Sequence, residues 1–367
     1  MGIDIELNKF ELDHKDEKDD SYDEDSGFQV PPKDIISFNE LRSCADLYRM
    51  YDTKQLEIDP DFQRDKVWSK AASTRFIDSL MKQLPIPSMC ISLDYKTNKR
   101  LVIDGLQRMW SIIQFLDDSN WKLSDLEDID PKISGLRVED IQNKYPSLYS
   151  VVENVTIPVT VIRCDYDKKD HMEYLFTIFH RLNSGGYKLS NQEIRNCIYS
   201  GVLNNSIKLV EGKDLYRNLL GLEEGKTYRF AYQELVLRVY AFADKYKEYK
   251  GNLSKFLNEY MDDYQDDVEM AESKAKLFLR TVKLVSERVA DGKTFSRLSK
   301  SAIEAILVGA MVNVEMLENE SSDKTKRRFI ELLKTNEFSA ESLKNALTSR
   351  SKQIARIEQS VLIFSKP

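Results

Sequence analysis

The stretch "RLVIDGLQRMWSIIQF", Arg100 to Phe115, changes its periodicity half-way along. Leu101, Val102 and Ile103 form a short apolar, partly β-branched run, whereas Leu106, Met109, Ile112 and Ile113 recur at helical spacing. A strand ending at Ile103 and a helix starting near Gly105 are predicted, joined by Asp104-Gly105. A helix start exposes unpaired backbone N–H groups and carries a partial positive charge, so such a turn suits an anion. Gly105 lacks the Cβ that would block close approach to the backbone. Arg108, about one turn on, is placed to return its guanidinium over the same spot, and Gln107 adds a neutral donor and acceptor. For Asp104 three readings stay open: it caps the helix, holds Arg108, or binds a divalent ion. A plain turn with a solvated arginine is the competing account.

The neighbouring segments frame this turn. "MCISLDYKTNKRLVID" reads as two strands around a Lys-Thr-Asn-Lys turn. Before it, "SKAASTRFIDSLMKQL" has one apolar face (Phe76, Ile77, Leu80, Met81, Leu84), Ser69 ahead of it, and Pro85 and Pro87 as stops. "SFNELRSCADLYRMYD" is close to helical spacing, with Ser37 as a cap. Residues 119–153 read as irregular or weakly helical, "VTIPVTVIRCD" as a strand, and "HMEYLFTIFHRLN" as a helix. "SNQEIRNCIYSG" restarts a helix with a capping box, Ser190 opposite Glu193. From about Val202 onward helical period dominates. No internal repeat is visible. The predicted fold class is α+β: an acidic tail over 1–35, a mixed domain over 36–200 with a small sheet, and an all-helical domain over 201–367.

Composition bounds the function. At 41% hydrophobic and 31% charged, the 367-residue chain reads as a soluble globular protein large enough for two domains. No apolar run approaches the ~18 residues of a membrane span, and no leader is recognisable, so a cytoplasmic protein is expected. Cys44, Cys90, Cys164 and Cys197 are far apart and read as reduced thiols, not as a disulfide frame or zinc site. Between Glu11 and Asp25 nine acids face two lysines with little to bury, which predicts a disordered tail. A net charge of −7 argues against a protein that coats nucleic acid, while leaving a local basic groove open.

Two further loops carry arginine. In "IDPDFQRDKVWS", Gln63 and Arg64 sit between the aromatic anchors Phe62 and Trp68; a salt bridge to Asp61 or Asp65 is the ordinary alternative. In "FHRLNSGGYKLSNQEIRN", Arg181 and Asn183 end a helix just before two glycines, and a capped helix follows.

In this order, "FQRDKVW", "DGLQR" and "FHRLNSGGYKLSNQEIRN" resemble the N-terminal domain of the GmrSD-type modification-dependent restriction endonucleases, a family akin to ParB and sulfiredoxin. The resemblance covers roughly Asp59 to Ser200. It implies a ParB/sulfiredoxin-like fold whose turn handles a nucleoside triphosphate, GTP or ATP, with Mg2+, or another phosphorylated ligand. It also implies a role in anti-phage defence beside a nuclease or other subunit. Carried over by position, Asp104, Gly105, Gln107 and Arg108 fall on the phosphate-handling turn, Gln63 and Arg64 on the first loop, and Arg181 and Asn183 on the third. Asp104, Gln107 and Arg108 are then the candidate catalytic residues; the metal ligands stay unknown. Leu106 departs from the pattern by replacing the first Gln of the usual turn. If that Gln positions water or a metal, hydrolysis is slow or absent here while binding persists.

The family's multidomain members carry a C-terminal HNH nuclease. The only histidines here are His14, His171 and His180, none in the helical half, so a His-metal nuclease site is not expected there. An NTPase, and a DNA-binding or DNA-nicking protein that uses the same arginines on backbone phosphate, both stay open, as does oligomerisation. In the helical half, Tyr228, Phe230, Leu235, Val239 and Phe242 are expected inside, with Arg229, Glu234 and Arg238 in ion pairs; stacking on single-stranded nucleic acid is the alternative. "KTKRR" at 324–328 is read as a solvated face or a phosphate-backbone patch.

Overall fold

The computed structural model describes residues 31–58, 68–182, 189–224, 228, 230–290, 292–296, 298–339, 342 and 350–366. The acidic tail, Gln63, Arg64 and Asn183 lie outside these residues. The chain divides into two compact units at Leu189/Ser190.

The first unit is built on a five-stranded mixed sheet, and together with the mostly helical remainder this makes the fold α+β. Strands β1 (Ile36–Ser43), β2 (Leu56–Glu57), β3 (Met89–Asp94), β4 (Arg100–Asp104) and β5 (Thr156–Cys164) lie in the order β1-β5-β3-β4-β2. β3 runs parallel to β5 and antiparallel to β4. Side chains alternate across the sheet. Met89, Ile91, Val102, Ile157, Val159 and Val161 enter a core shared with helices α1 (Cys44–Asp52), α2 (Lys70–Met81), α3 (Leu106–Asp117), α4 (Val138–Lys144) and α5 (Pro146–Asn154). Cys90, Ser92, Asp94, Ile162 and Cys164 face the other way, where α6 (Lys169–Leu182) packs against β4.

Several expected elements form for the expected reasons. Ser69 accepts the Ala72 amide at the head of α2, and Phe76, Ile77, Leu80 and Met81 are buried. Leu84, expected on the same face, lies past the helix end and is exposed. The two strands around Lys-Thr-Asn-Lys pair antiparallel, with Asp94 accepting from the Thr97 amide at 3.1 Å. The four cysteines are buried and free.

One segment departs from its reading. Ile36–Ser43 is a strand, and the helix starts only at Cys44, capped by Ser43, whose hydroxyl accepts the Asp46 amide. Ser37 therefore caps nothing. Antiparallel pairing with β5 along the whole of β1 outweighs a weak helical spacing, and the apolar residues of that spacing mostly fall inside α1. Residues 119–153, read as irregular or weakly helical, yield the short helices α4 and α5.

Before β1, Asp34 is fastened to α6. His171, fully buried, accepts the Asp165 amide at Nδ1 (2.9 Å), so its Nε2 carries the proton shared with Asp34 (3.0 Å). Lys168 pairs with the other carboxylate oxygen. The Lys168 bond first, then the His171 bond, holds the Asp34 carboxyl at about 2.

The second unit is helical: α7 (Asn191–Ile198), α8 (Val202–Glu211), α9 (Asp214–Leu220), α10 (Ala231–Lys245), α11 (Leu253–Tyr264), α12 (Val268–Val285), α13 (Lys300–Val312), α14 (Val314–Glu318), α15 (Ser322–Leu333) and α16 (Arg350–Phe364). The capping box at α7 forms as read, Ser190 and Glu193 each accepting the other's amide. Leu235, Val239 and Phe242 are buried, whereas Tyr228 and Phe230, expected inside with them, are only half-buried because they precede α10 or sit at its head; Arg229 lies outside the described residues. Through the interior runs a polar network. Arg195 donates to Asn258 (2.8 Å), Glu234 (2.9 Å) and Gln192 (3.2 Å); Arg238 joins Glu234 to Glu304, and Gln353 donates to Glu304. Burial pushes the Glu234 carboxyl up, but the charges of Arg195 and Arg238 hold it below its ordinary range. Within "KTKRR", Arg328 is buried against Glu320 and the Ile363 carbonyl, so that part is no solvated patch. α12 runs on into a π-helical turn, Ser286–Ala290. From it Arg288 donates to the carbonyls of Leu317 (2.6 Å), Glu318 (3.0 Å) and Glu320 (2.7 Å) past α14.

Two outcomes follow. Glu234→Ala strands the Arg195 guanidinium in the interior and should cost about 3–5 kcal/mol in urea unfolding, with Glu234→Gln milder. Asp34 has a folded pKa below its unfolded one, so its clasp is full above the usual carboxylate range and fades as pH falls toward about 2. Asp34→Asn should therefore flatten the acid limb of a melting-temperature-against-pH curve.

Candidate functional site

The turn after β4 is shaped by a bulge and a left-handed glycine. Cys90 pairs with Asp104 but Ile91 with Val102, so Ile103 is an extra residue in β4, and Asp104 is re-aimed beyond it. Gly105 follows with φ 97°, and α3 starts at Leu106, so its N-cap residue has no side chain to offer the first turn. A Cβ on Gly105 would lie 2.8 Å from Met89 Cγ and 3.1 Å from Arg108 Nη2. Glycine is thus required by its backbone angle and by close packing. The space on its Cβ side belongs to Met89, not to an approaching ligand, which corrects the reason expected for this glycine.

Arg108 is committed in two directions. Its Nη2 donates to Asp104 Oδ2 at 2.8 Å, and its Nη1 donates to the carbonyls of Pro87 and Ser88, the latter at 3.3 Å. Only 12% of its side chain is exposed. Of the three readings of Asp104, holding Arg108 is the contact observed. The pair fixes the guanidinium at the helix head and ties the Pro87–Ser88 segment to the turn.

Gln107 reaches the other way. Its Oε1 accepts the Trp68 amide at 2.8 Å, and Trp68 packs edge-on against Phe76 at 5.6 Å between ring centroids. Gln107 thus holds the backbone at Trp68, just ahead of α2. Leu106 is buried.

The third stretch approaches through α6. That helix starts beside Asp165, just past the end of β5, and packs along β4. β5 ends level with the start of β4, because Leu93 pairs with both Arg163 and Arg100. α6 therefore runs toward the Asp104 end of β4 and carries the exposed Arg181 that way. Asp104, Gly105, Gln107 and Arg108 are thus brought together with Pro87, Ser88, Met89 and Trp68. The last four were not read as partners; of them, only Trp68 had been read as an anchor and Pro87 as a helix stop.

The local chemistry is that of a binding turn. Burial first, and the Asp104 charge second, push the Cys90 thiol up to about 12, so it stays protonated and is no nucleophile. Among the described residues, no group of three or more His, Cys, Asp or Glu is placed to hold a metal ion. None of their helices is long and apolar enough to cross a membrane.

Residues 44–200 match the family described as GmrSD restriction endonuclease, N-terminal domain. Through this segment the chain is similar to the GmrSD family. The GmrSD domain spans four of the five strands, the whole candidate turn and α7, and includes all three quoted stretches. That family implies a component of a restriction system. Comparison with curated proteins and with solved structures gives no match.

Gly105→Ala should lower stability by at least about 1–2 kcal/mol in urea unfolding, the cost of a left-handed non-glycine residue, with displacement of Met89 adding to it.

Proposed function

We propose that the first unit binds a nucleoside triphosphate with its phosphates at the head of α3, and that the protein acts with a nuclease partner in restriction. The observation that carries this is a first turn of α3 whose glycine N-cap has no side chain to give it, beside a guanidinium already fixed in place. Backbone N–H groups at a helix start favour phosphate oxygens. Ordering Arg108 before the ligand arrives removes an entropic cost from binding. The Asp104 carboxylate opposes a bare phosphate. It suits a triphosphate carrying Mg2+, which is commonly held by the phosphates and one or two carboxylates; Asp104 is the carboxylate the turn offers. Mg2+ would supply charge neutralisation between Asp104 and the phosphates.

Binding is favoured over rapid hydrolysis. Leu106 is buried and apolar, and the Gln107 oxygen is spent on the Trp68 amide. Leu106 therefore has no polar group with which to orient water. Cleavage of DNA is assigned to a partner, since the three histidines all precede the helical unit and His171 is taken up by Asp165 and Asp34. Against a direct DNA-binding reading, Arg195, Arg238 and Arg328 are largely buried against glutamates.

The test is a melting-temperature and calorimetric screen with ATP, GTP, CTP and UTP, with and without Mg2+, on wild type and Arg108→Ala. At least one nucleotide should raise the melting temperature, and the variant should lose about 1.5–3 kcal/mol of binding, the scale of a charge-assisted hydrogen bond. Affinity should fall less steeply with salt than the log–log slope of about −0.9 per contact expected for a DNA backbone. No shift with any nucleotide, or an unchanged affinity in Arg108→Ala, sinks the proposal.

A further inference from the structure

β1 is the end strand of the sheet, and among the described residues nothing pairs with its outer side. It is eight residues long and pairs with β5 without a bulge, from Ile36↔Arg163 to Ser43↔Thr156. Proteins usually guard such an edge with lysine, proline, a bulge or an isolated charge, because its unpaired amides and carbonyls template another strand. β1 has no lysine, proline or bulge. Instead Ile36, Phe38 and Leu41 are 49%, 40% and 69% exposed. Its two charges are bonded to each other, Arg42 donating to both Glu40 oxygens at 2.7 and 2.8 Å and also to Asp46 at 2.7 Å.

The direction of the outer groups can be deduced. The Cys44 amide donates to the Val155 carbonyl, continuing the β1–β5 register by one pair. Antiparallel ladders alternate, so the even-numbered residues of β1 bond to β5, while the amides and carbonyls of Ser37, Asn39, Leu41 and Ser43 point outward. We propose that two copies of this chain pair through these outer groups, β1 antiparallel to β1 about a two-fold axis at Leu41, joining two sheets into one.

The charge pattern selects the second copy as occupant and sets this register. Centred on Leu41, the strands place Glu40 of each copy opposite Arg42 of the other, Asn39 opposite Ser43, and Leu41 against Leu41. Moving the centre by one residue sets Glu40 against Glu40 or Arg42 against Arg42. Moving it to Asn39 sets Glu40 against Phe38 and Arg42 against Ile36. Opposite charges facing across strands stabilise a pair and like charges destabilise it. The exposed Leu41 side chains cover each other at the axis.

The experiment is sedimentation equilibrium and light scattering on the full chain, with far-ultraviolet circular dichroism as a fold control. Wild type should have twice the chain mass at high concentration. Leu41→Lys alters a side chain that the single copy leaves in solvent, and Leu41→Pro deletes only an outward amide. Both should be monomeric with an unchanged spectrum. Glu40→Arg, which sets like charges opposite, should raise the dissociation constant at least tenfold. A wild type that is monomeric at every concentration, a dimer that survives Leu41→Lys, or an indifferent Glu40→Arg overturns the proposal as stated.

Discussion

The guanidinium of Arg108 is held between a carboxylate on its own turn and two carbonyls of the segment entering β3, and the candidate site depends on that double attachment. Asp104 can reach Arg108 because the extra residue Ile103 turns it past the end of the ladder. Gly105 then permits the backbone to bend left-handed without striking Met89. An arginine so placed is less a mobile counter-charge than part of the wall. Its charge is offset until something more negative, or a cation beside Asp104, alters the balance.

The turn was legible in the sequence because a change from strand-like to helical spacing at Asp104-Gly105 is a local signal. The α2 helix and the Ser190–Glu193 capping box were legible for the same reason: their determinants lie within a few residues of one another. Arg108's carbonyl partners were not legible. They lie 20 and 21 positions away, and they meet the guanidinium only because β3 and β4 pair in one particular register. β1 was misread since Ser37 and Ser43 are equally good caps in isolation, and only β5, more than a hundred positions later, decides between them.

The third stretch illustrates a different obstacle. Read as one segment, it joins Arg181 and Asn183 to Glu193 and Arg195. In three dimensions it straddles two units, and its second half is spent inside the helical one. Arg195 finds Glu234 and Asn258 at separations of 39 and 63 positions. A charged residue in a well-formed helix advertises exposure, and nothing local reveals that it is buried and answered from three sides.

The wide turn at Ser286–Ala290 has a consequence for how this chain tolerates length change. A π-helical turn holds one residue more than an α-helical turn. Removing a residue there would let it rewind as an ordinary α-helical turn and displace Arg288 within it. Arg288 would then face away from the carbonyls of Leu317, Glu318 and Glu320, which would lose their donor where the chain leaves α14. The spacing of this segment is tied to carbonyls at the end of another helix, so gaps should be excluded from it even where substitutions are accepted.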